Sequence, residues 1–224
     1  MWRTLCTVLL SLSVAACASL QGGGDRVDPR AENVRELLRL SSEQAASELA
    51  GEGAYTGDND LRLTIPSAMS PIADAMRQYG FGNRIEYLEE LMNLGAEQAA
   101  RRAGPVLHAV IGDLSIDNAR EILRGRDDAA TRYLLAQVAD DVALRYRPVI
   151  RASLRELGFY DAHRLVLDLY ESLPVPAHRG VDLERHVLHQ SLGGLYRRMA
   201  AREAAIRANP EEFASEQLAR ALRR

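Results

Sequence analysis

A chain of 224 residues, 47% hydrophobic and 26% charged, can bury one large core or two small ones and is too charged for a membrane-embedded bundle. Its formal net charge of −3, with acids and bases interspersed, argues against the basic face of a general nucleic-acid binder. Aromatics make up only 5% while Ala, Leu, Arg and Glu abound, a bias toward helix over sheet.

The chain opens with Arg3, an apolar run from Leu5 to Leu12, and then Val14-Ala15-Ala16-Cys17. Small residues leading to a cysteine at this distance form the bacterial lipoprotein cleavage signal. Residues 1–16 are therefore expected to be a signal peptide and Cys17 the lipid attachment site. Residues 4–16 are fewer than the roughly 20 that span a bilayer and suit a signal h-region. An uncleaved anchor, or an ordinary export signal cut near Ala16 or Ala18, is the alternative. Ala18 rather than Asp follows the cysteine, which in enterobacterial sorting points to the outer membrane, facing the periplasm. Residues 17–30 read as a flexible tether. Its glycine triplet, Gly22 to Gly24, lacks the Lys-Ser/Thr of a phosphate loop. Cys6 and Cys17 are the two cysteines, so the domain beyond has no disulfide.

Helical spacing begins with Val34, Leu37 and Leu38. Ser41 with Gln44 reads as a capping box opening a second helix to about Leu49. Residues 51–60 are a loop, Leu61 to Ile65 alternates as an extended segment, and Pro66 ends it. Residues 68–79 suit a helix stopped by Gly80 or Gly82. Asn83 is expected to cap a long helix to about Ala103, and Gly104-Pro105 either kinks it or starts another. Ser115 is read as the cap of a short helix closed by Gly125. Asp127 or Asp128 opens a long helix that Pro148 kinks or splits and Gly158 closes. Helices at 160–172 and 181–207 follow. Asn209-Pro210 restarts a last helix to about Leu222. The expectation is one compact all-α domain over residues 31–224.

Several of these segments resemble one bacterial family, catalogued as domain of unknown function 4197. The similarity lies in Ile65-Pro66, Gly80-Phe81-Gly82, Glu90-Leu91-Met92-Asn93 with Ala96-Glu97, and Asp117 to Leu123 followed by Gly125. It continues in Asp128 to Thr131 with Tyr133, Pro148, Gly194-Leu195, and Ile206 to Pro210. In order, these cover roughly residues 40–215. Members tend to carry Asn-Pro before the position of Ile65, where this chain reads Gly57 to Asp60. The resemblance implies an exported, helical, often lipid-anchored protein and supplies no activity.

On an ideal helix Glu86, Glu90, Asn93 and Glu97 share a narrow arc beside Arg101. They could bind a cation or an amine. Equally, they could form a solvated face with a Glu97–Arg101 pair, or lie in a packing seam bonded to a neighbouring helix end. Asp127, Asp128 and Thr131 mark a helix start, where acids are stabilising. Alternatively, Thr131 and Tyr133 line a pocket with the Asn93 helix. With the family similarity, Asn93, Glu97, Asp128, Thr131 and Tyr133 are the candidate binding residues. His186 and His189 have a spacing that can hold a metal, but no His-Glu-x-x-His pattern or cysteine cluster accompanies them. His108, His163 and His178 stand apart. Arg220, Arg223 and Arg224 make the C-terminus locally basic, as a helix complementing its own dipole would.

No Gly-x-Ser-x-Gly elbow, Rossmann fingerprint or Walker sequence is present, so no catalytic residue, cofactor or metal is assigned. The expected role is an envelope binding or interaction module. It would be held to the membrane by its lipid and partnered with an envelope protein or a small apolar ligand, not nucleic acid. A small-molecule or lipid carrier with an inter-helix cavity is the alternative. An unrecognised hydrolase using Glu97 as buried acid or base is the third reading.

Overall fold

The computed structural model describes residues 28–177 and 181–223. The signal peptide, Cys17, most of the tether, His178 and Arg224 lie outside the described residues. Among the described residues the fold is all-α, with no strand, as the composition implies. Its helices are α1 (Pro29–Leu49), α2 (Ser70–Gln78), α3 (Gly82–Ala100), α4 (Ala103–Asp113), α5 (Ala119–Leu123), α6 (Ala129–Glu156), α7 (Phe159–Glu171), α8 (Leu183–Ala208), α9 (Pro210–Phe213) and α10 (Glu216–Leu222). A 3₁₀ turn, Ser67–Met69, precedes α2.

Helices α1 and α8 form the largest interface and the axis of the core. Val34, Leu37, Leu38, Ala45 and Leu49 of α1 are buried, as are Val187, Leu192, Leu195, Met199 and Ile206 of α8. Helix α6 packs on α8, α4 on α1, and α3 on α6 and α7. The short helices α5 and α10 both lean on α1. No described helix is long and apolar enough to cross a membrane.

Five local expectations need correction. Residues 29–49 are one helix, not two. Ser41 Oγ donates to the Leu37 carbonyl (2.8 Å) and Ser42 Oγ to the Arg39 carbonyl (2.9 Å), so both hydroxyls bond backward within the helix instead of capping a new one. Asn83 lies inside the first turn of α3, whose cap position is Phe81. Asn118, not Ser115, precedes α5. In α6 the non-helical backbone is at Val138 (φ −139°, ψ 20°), while the helix runs on through Pro148. Gly104-Pro105 falls in the first turn of a separate helix, α4, where the missing proline N–H removes no hydrogen bond. The expected last helix is two, α9 and α10, with Ser215 Oγ accepting from Leu218 N–H (3.2 Å) at the second start.

Gly80 does stop α2. It adopts φ +84°, a conformation costly for any residue with a Cβ. The Phe81 N–H then reaches the Met76 carbonyl (2.7 Å) and the Gly80 N–H the Arg77 carbonyl (3.2 Å), a Schellman closure.

Candidate functional site

The acids and amide of α3 do not face water together. Glu86 and Glu90 are exposed, whereas Asn93 and Glu97 are buried at 1% and 2%. They belong to a ladder with Glu89, one turn apart, that grips the segment between α1 and α2. Glu89 Oε1 accepts from Ile65 N–H (2.9 Å). Asn93 Oδ1 accepts from Leu63 N–H (2.9 Å), and its Nδ2 donates to the Leu63 carbonyl (2.8 Å) and to the Glu89 carbonyl (2.7 Å). Glu97 Oε1 accepts from Tyr55 N–H (3.2 Å). The side-chain amide thus pairs with Leu63 as a neighbouring strand would, which satisfies buried backbone groups in a segment that has no sheet partner. Both donors of Asn93 are engaged by protein.

The gripped segment is wedged against α8. The Tyr55 hydroxyl donates to the Ser191 carbonyl (3.3 Å). A Cβ at Gly194 would come within 3.3 Å of the Tyr55 ring and the Leu61 side chain, so the glycine lets the loop lie close to the helix. Burial, reinforced by the Glu97 carboxylate, pushes the Tyr55 phenol far above its ordinary range.

A second buried polar cluster joins three helices. Glu203 of α8 is fully buried. Its Oε1 accepts from Ala130 N–H (2.8 Å) and its Oε2 from Thr131 N–H (2.7 Å), so it occupies the first turn of α6. Arg207 Nε and Nη2 donate to Glu203 Oε1 at 2.9 and 2.7 Å. The same guanidinium donates to the carbonyls of Leu123 (2.8 Å) and Ile122 (3.0 Å) at the end of α5. One ion pair therefore satisfies the free carbonyls of one helix and the free amides of the next.

Asp128 holds the cap position of α6 but makes no capping bond, pairing instead with Arg126 (3.7 Å) and Arg132 (3.8 Å). The buried carboxylate has taken the role that sequence reasoning gave to Asp128. Thr131 sits beside it through its backbone. Tyr133 points elsewhere: its hydroxyl donates to the Ser115 carbonyl (2.8 Å) on the α4–α5 connection. The structure thus groups Asn93 with Glu97, sets Thr131 against Glu203, and leaves Asp128 paired with Arg126 and Arg132. Glu203 and Arg207 were missed as site residues. Their signal was present, since an i,i+4 acid–base pair interrupts the apolar series Leu192, Leu195, Met199, Ile206.

Glu184 anchors a third, half-exposed network. It accepts from Arg151 Nη2 (2.9 Å) and from the Tyr160 hydroxyl (2.7 Å), tying α6 and α7 to α8. The Arg151 hydrogen bond holds the Glu184 carboxyl below its usual range despite partial burial. Burial, then Glu184, pushes the Tyr160 phenol up to about 12.

Among the described residues no three metal-ligating side chains converge. His186 Nε2 lies 3.0 Å from the Thr64 carbonyl, and His163 stacks on Phe159 with ring centres 5.9 Å apart. Burial lowers the basicity of His163. His108 Nε2 lies 2.7 Å from Glu43 Oε1.

An open polar concavity lies elsewhere. Arg30 at the start of α1, Arg120 and Arg124 of α5 and its end, and Arg220 and Arg223 of α10 and its end surround a cleft of about 350 Å³ floored by Leu123 and Ala221. Among the described residues no carboxylate lines it. Arg223 pairs with Glu211 at 2.6 Å and Arg220 with Glu216 at 3.6 Å. Among the described residues, the side chains of Arg30, Arg120 and Arg124 have no polar partner.

No curated protein and no solved structure matches the chain. A family profile described as "Protein of unknown function (DUF4197)" does match, over residues 28–222, which takes in every described helix and all three polar clusters. The chain belongs to that family.

Proposed function

We propose that this chain is an envelope lipoprotein, anchored through acyl chains on Cys17 to the outer membrane and facing the periplasm, where it acts as a binding module. The observation that carries the reading is the open, arginine-lined cleft at the end of the molecule where α1 begins. The polar groups that sequence reasoning offered as a site are committed to backbone: Asn93 to Leu63 and Glu97 to Tyr55. The eleven steps from Cys17 to Asp28 reach at most about 40 Å, so the cleft stays close to the bilayer from which the chain would hang. Several buried acyl chains, at about 0.8 kcal/mol per methylene, give lasting attachment.

The test is metabolic labelling with a clickable palmitate analogue in cells expressing wild type and Cys17→Ala, followed by membrane separation. Label on the wild type alone, in the outer-membrane fraction and open to protease only from the periplasmic side, is the expected result. Equal processing and release of both proteins into the periplasm would refute the anchored reading.

A further inference from the structure

We infer that the five-arginine cleft between α1, α5 and α10 is a binding site for a phosphate-bearing anion. This rests on the binding-module reading and names the chemistry of its ligand. Three elements distant in sequence each deliver arginine to one concavity: Arg30 from α1, Arg120 and Arg124 from α5, Arg220 and Arg223 from α10. Helix dipoles account for part of this. The carbonyl ends of α5 and α10 carry partial negative charge that Arg124 and Arg223 complement. They do not account for Arg30, which lies in the first turn of α1, where the dipole disfavours a cation. Nor do two helices of five and seven residues call for four guanidinium groups.

The local charge is also unbalanced. Glu211 and Glu216 answer Arg223 and Arg220 from outside the cleft, and nothing described answers Arg30, Arg120 and Arg124. Like charges gathered in a concavity repel one another, and a multivalent anion relieves that repulsion. A phosphate group offers several acceptor oxygens to the planar guanidinium fork and about two negative charges, so several arginines can bind it at once. The volume of about 350 Å³ suits a small phosphorylated group. Such a group arrives either as the headgroup of an anionic phospholipid or as a free phosphorylated solute.

The experiment is calorimetric titration of the full-length chain in nonionic detergent. One arm uses inorganic pyrophosphate. The other uses dihexanoyl phosphatidylglycerol, with dihexanoyl phosphatidylcholine as its control. The cleft variant is Arg120→Gln/Arg124→Gln/Arg220→Gln. The comparison variant, Arg62→Gln/Arg84→Gln, removes two exposed arginines outside the cleft. All these residues are exposed, so helicity by circular dichroism should match wild type in both.

The expected result is saturable binding that weakens about tenfold or more in the cleft variant, holds in the comparison variant and falls with added salt. Binding of phosphatidylglycerol in preference to phosphatidylcholine identifies the headgroup as the source. Binding of pyrophosphate alone identifies a free solute. Binding in neither arm, or an equal loss in both variants, would overturn the inference. Anchoring and location are read separately in cells, so loss of one conclusion leaves the other standing.

Discussion

The fully buried Glu203 carboxylate lies 2.7 Å from Arg207 Nη2, and between them the two side chains close the end of α5 and the start of α6. A charge so placed is tolerated because every oxygen and most of the guanidinium is bonded. Glu203→Ala leaves the buried Arg207 charge without its carboxylate and two amides unpaired, and should cost roughly 3–5 kcal/mol in urea unfolding. Arg207→Leu strands a carboxylate and should cost about as much. The double variant Glu203→Leu/Arg207→Leu should cost clearly less than the sum, and an additive result would show that the two act independently.

Asn93→Asp exchanges a donor for an acceptor at constant shape. The new oxygen would face the carbonyls of Leu63 and Glu89, now 2.8 and 2.7 Å from Nδ2. The variant should lose about 3 kcal/mol at neutral pH. Protonation restores a donor, so the folded state raises the affinity of the introduced carboxyl for a proton. The deficit should therefore shrink as pH falls below about 5. A deficit independent of pH in chemical denaturation would contradict this account of the Leu63 pairing.

Two helical glycines should respond to alanine in opposite directions. A Cβ at Gly95 would sit 2.5 Å from Leu154 Cδ2, so Gly95→Ala should destabilise by about 1–3 kcal/mol through overpacking. Nothing lies within 4 Å of the corresponding point at Gly112, and Gly112→Ala should raise stability by about 0.5–1 kcal/mol. Thermal midpoints of the two variants provide the comparison, and a gain in stability for Gly95→Ala would refute the packing of α3 on α6.

Burial raises four phenols, Tyr55, Tyr146, Tyr160 and Tyr196, above their ordinary range, with Tyr160 at about 12. A phenol is neutral when protonated, so a raised value in the fold favours the native state below the unfolded value near 10 and loses that advantage as pH climbs past it. Absorbance at 295 nm and far-ultraviolet circular dichroism, followed together in alkali, should show Tyr160 ionising ahead of the other three, whose ionisation accompanies loss of helix. Complete phenol ionisation with helicity intact would contradict their burial.

Much of this architecture is legible locally. Apolar spacing marks α3, α6, α7 and α8 because a helix must bury one stripe whatever it packs against. Gly80, Gly158 and Asn209-Pro210 end or restart helices through backbone chemistry that needs no distant partner. Where two local outcomes compete, the sequence does not choose. Ser41 and Gln44 fit a capping box, yet packing of the whole α1 face on α8 keeps the helix continuous and turns the serine hydroxyls back onto it. The polar residues follow the same division. That Asn93 and Glu97 are distinctive was readable from their place in the family-like segments, but not that they serve a loop up to 42 residues earlier.

The sequence by itself determined the helical class, most helix ends and the family, because these depend on periodicity, caps and motif order within short windows. Only the tertiary structure decided that Asn93 stands in for a missing strand, that Glu203 displaces Asp128 as the partner of α6, and that arginines 30, 120, 124, 220 and 223 share one cleft. Each of those depends on which distant backbone groups are left without water when the helices close, and on which surfaces then lie side by side.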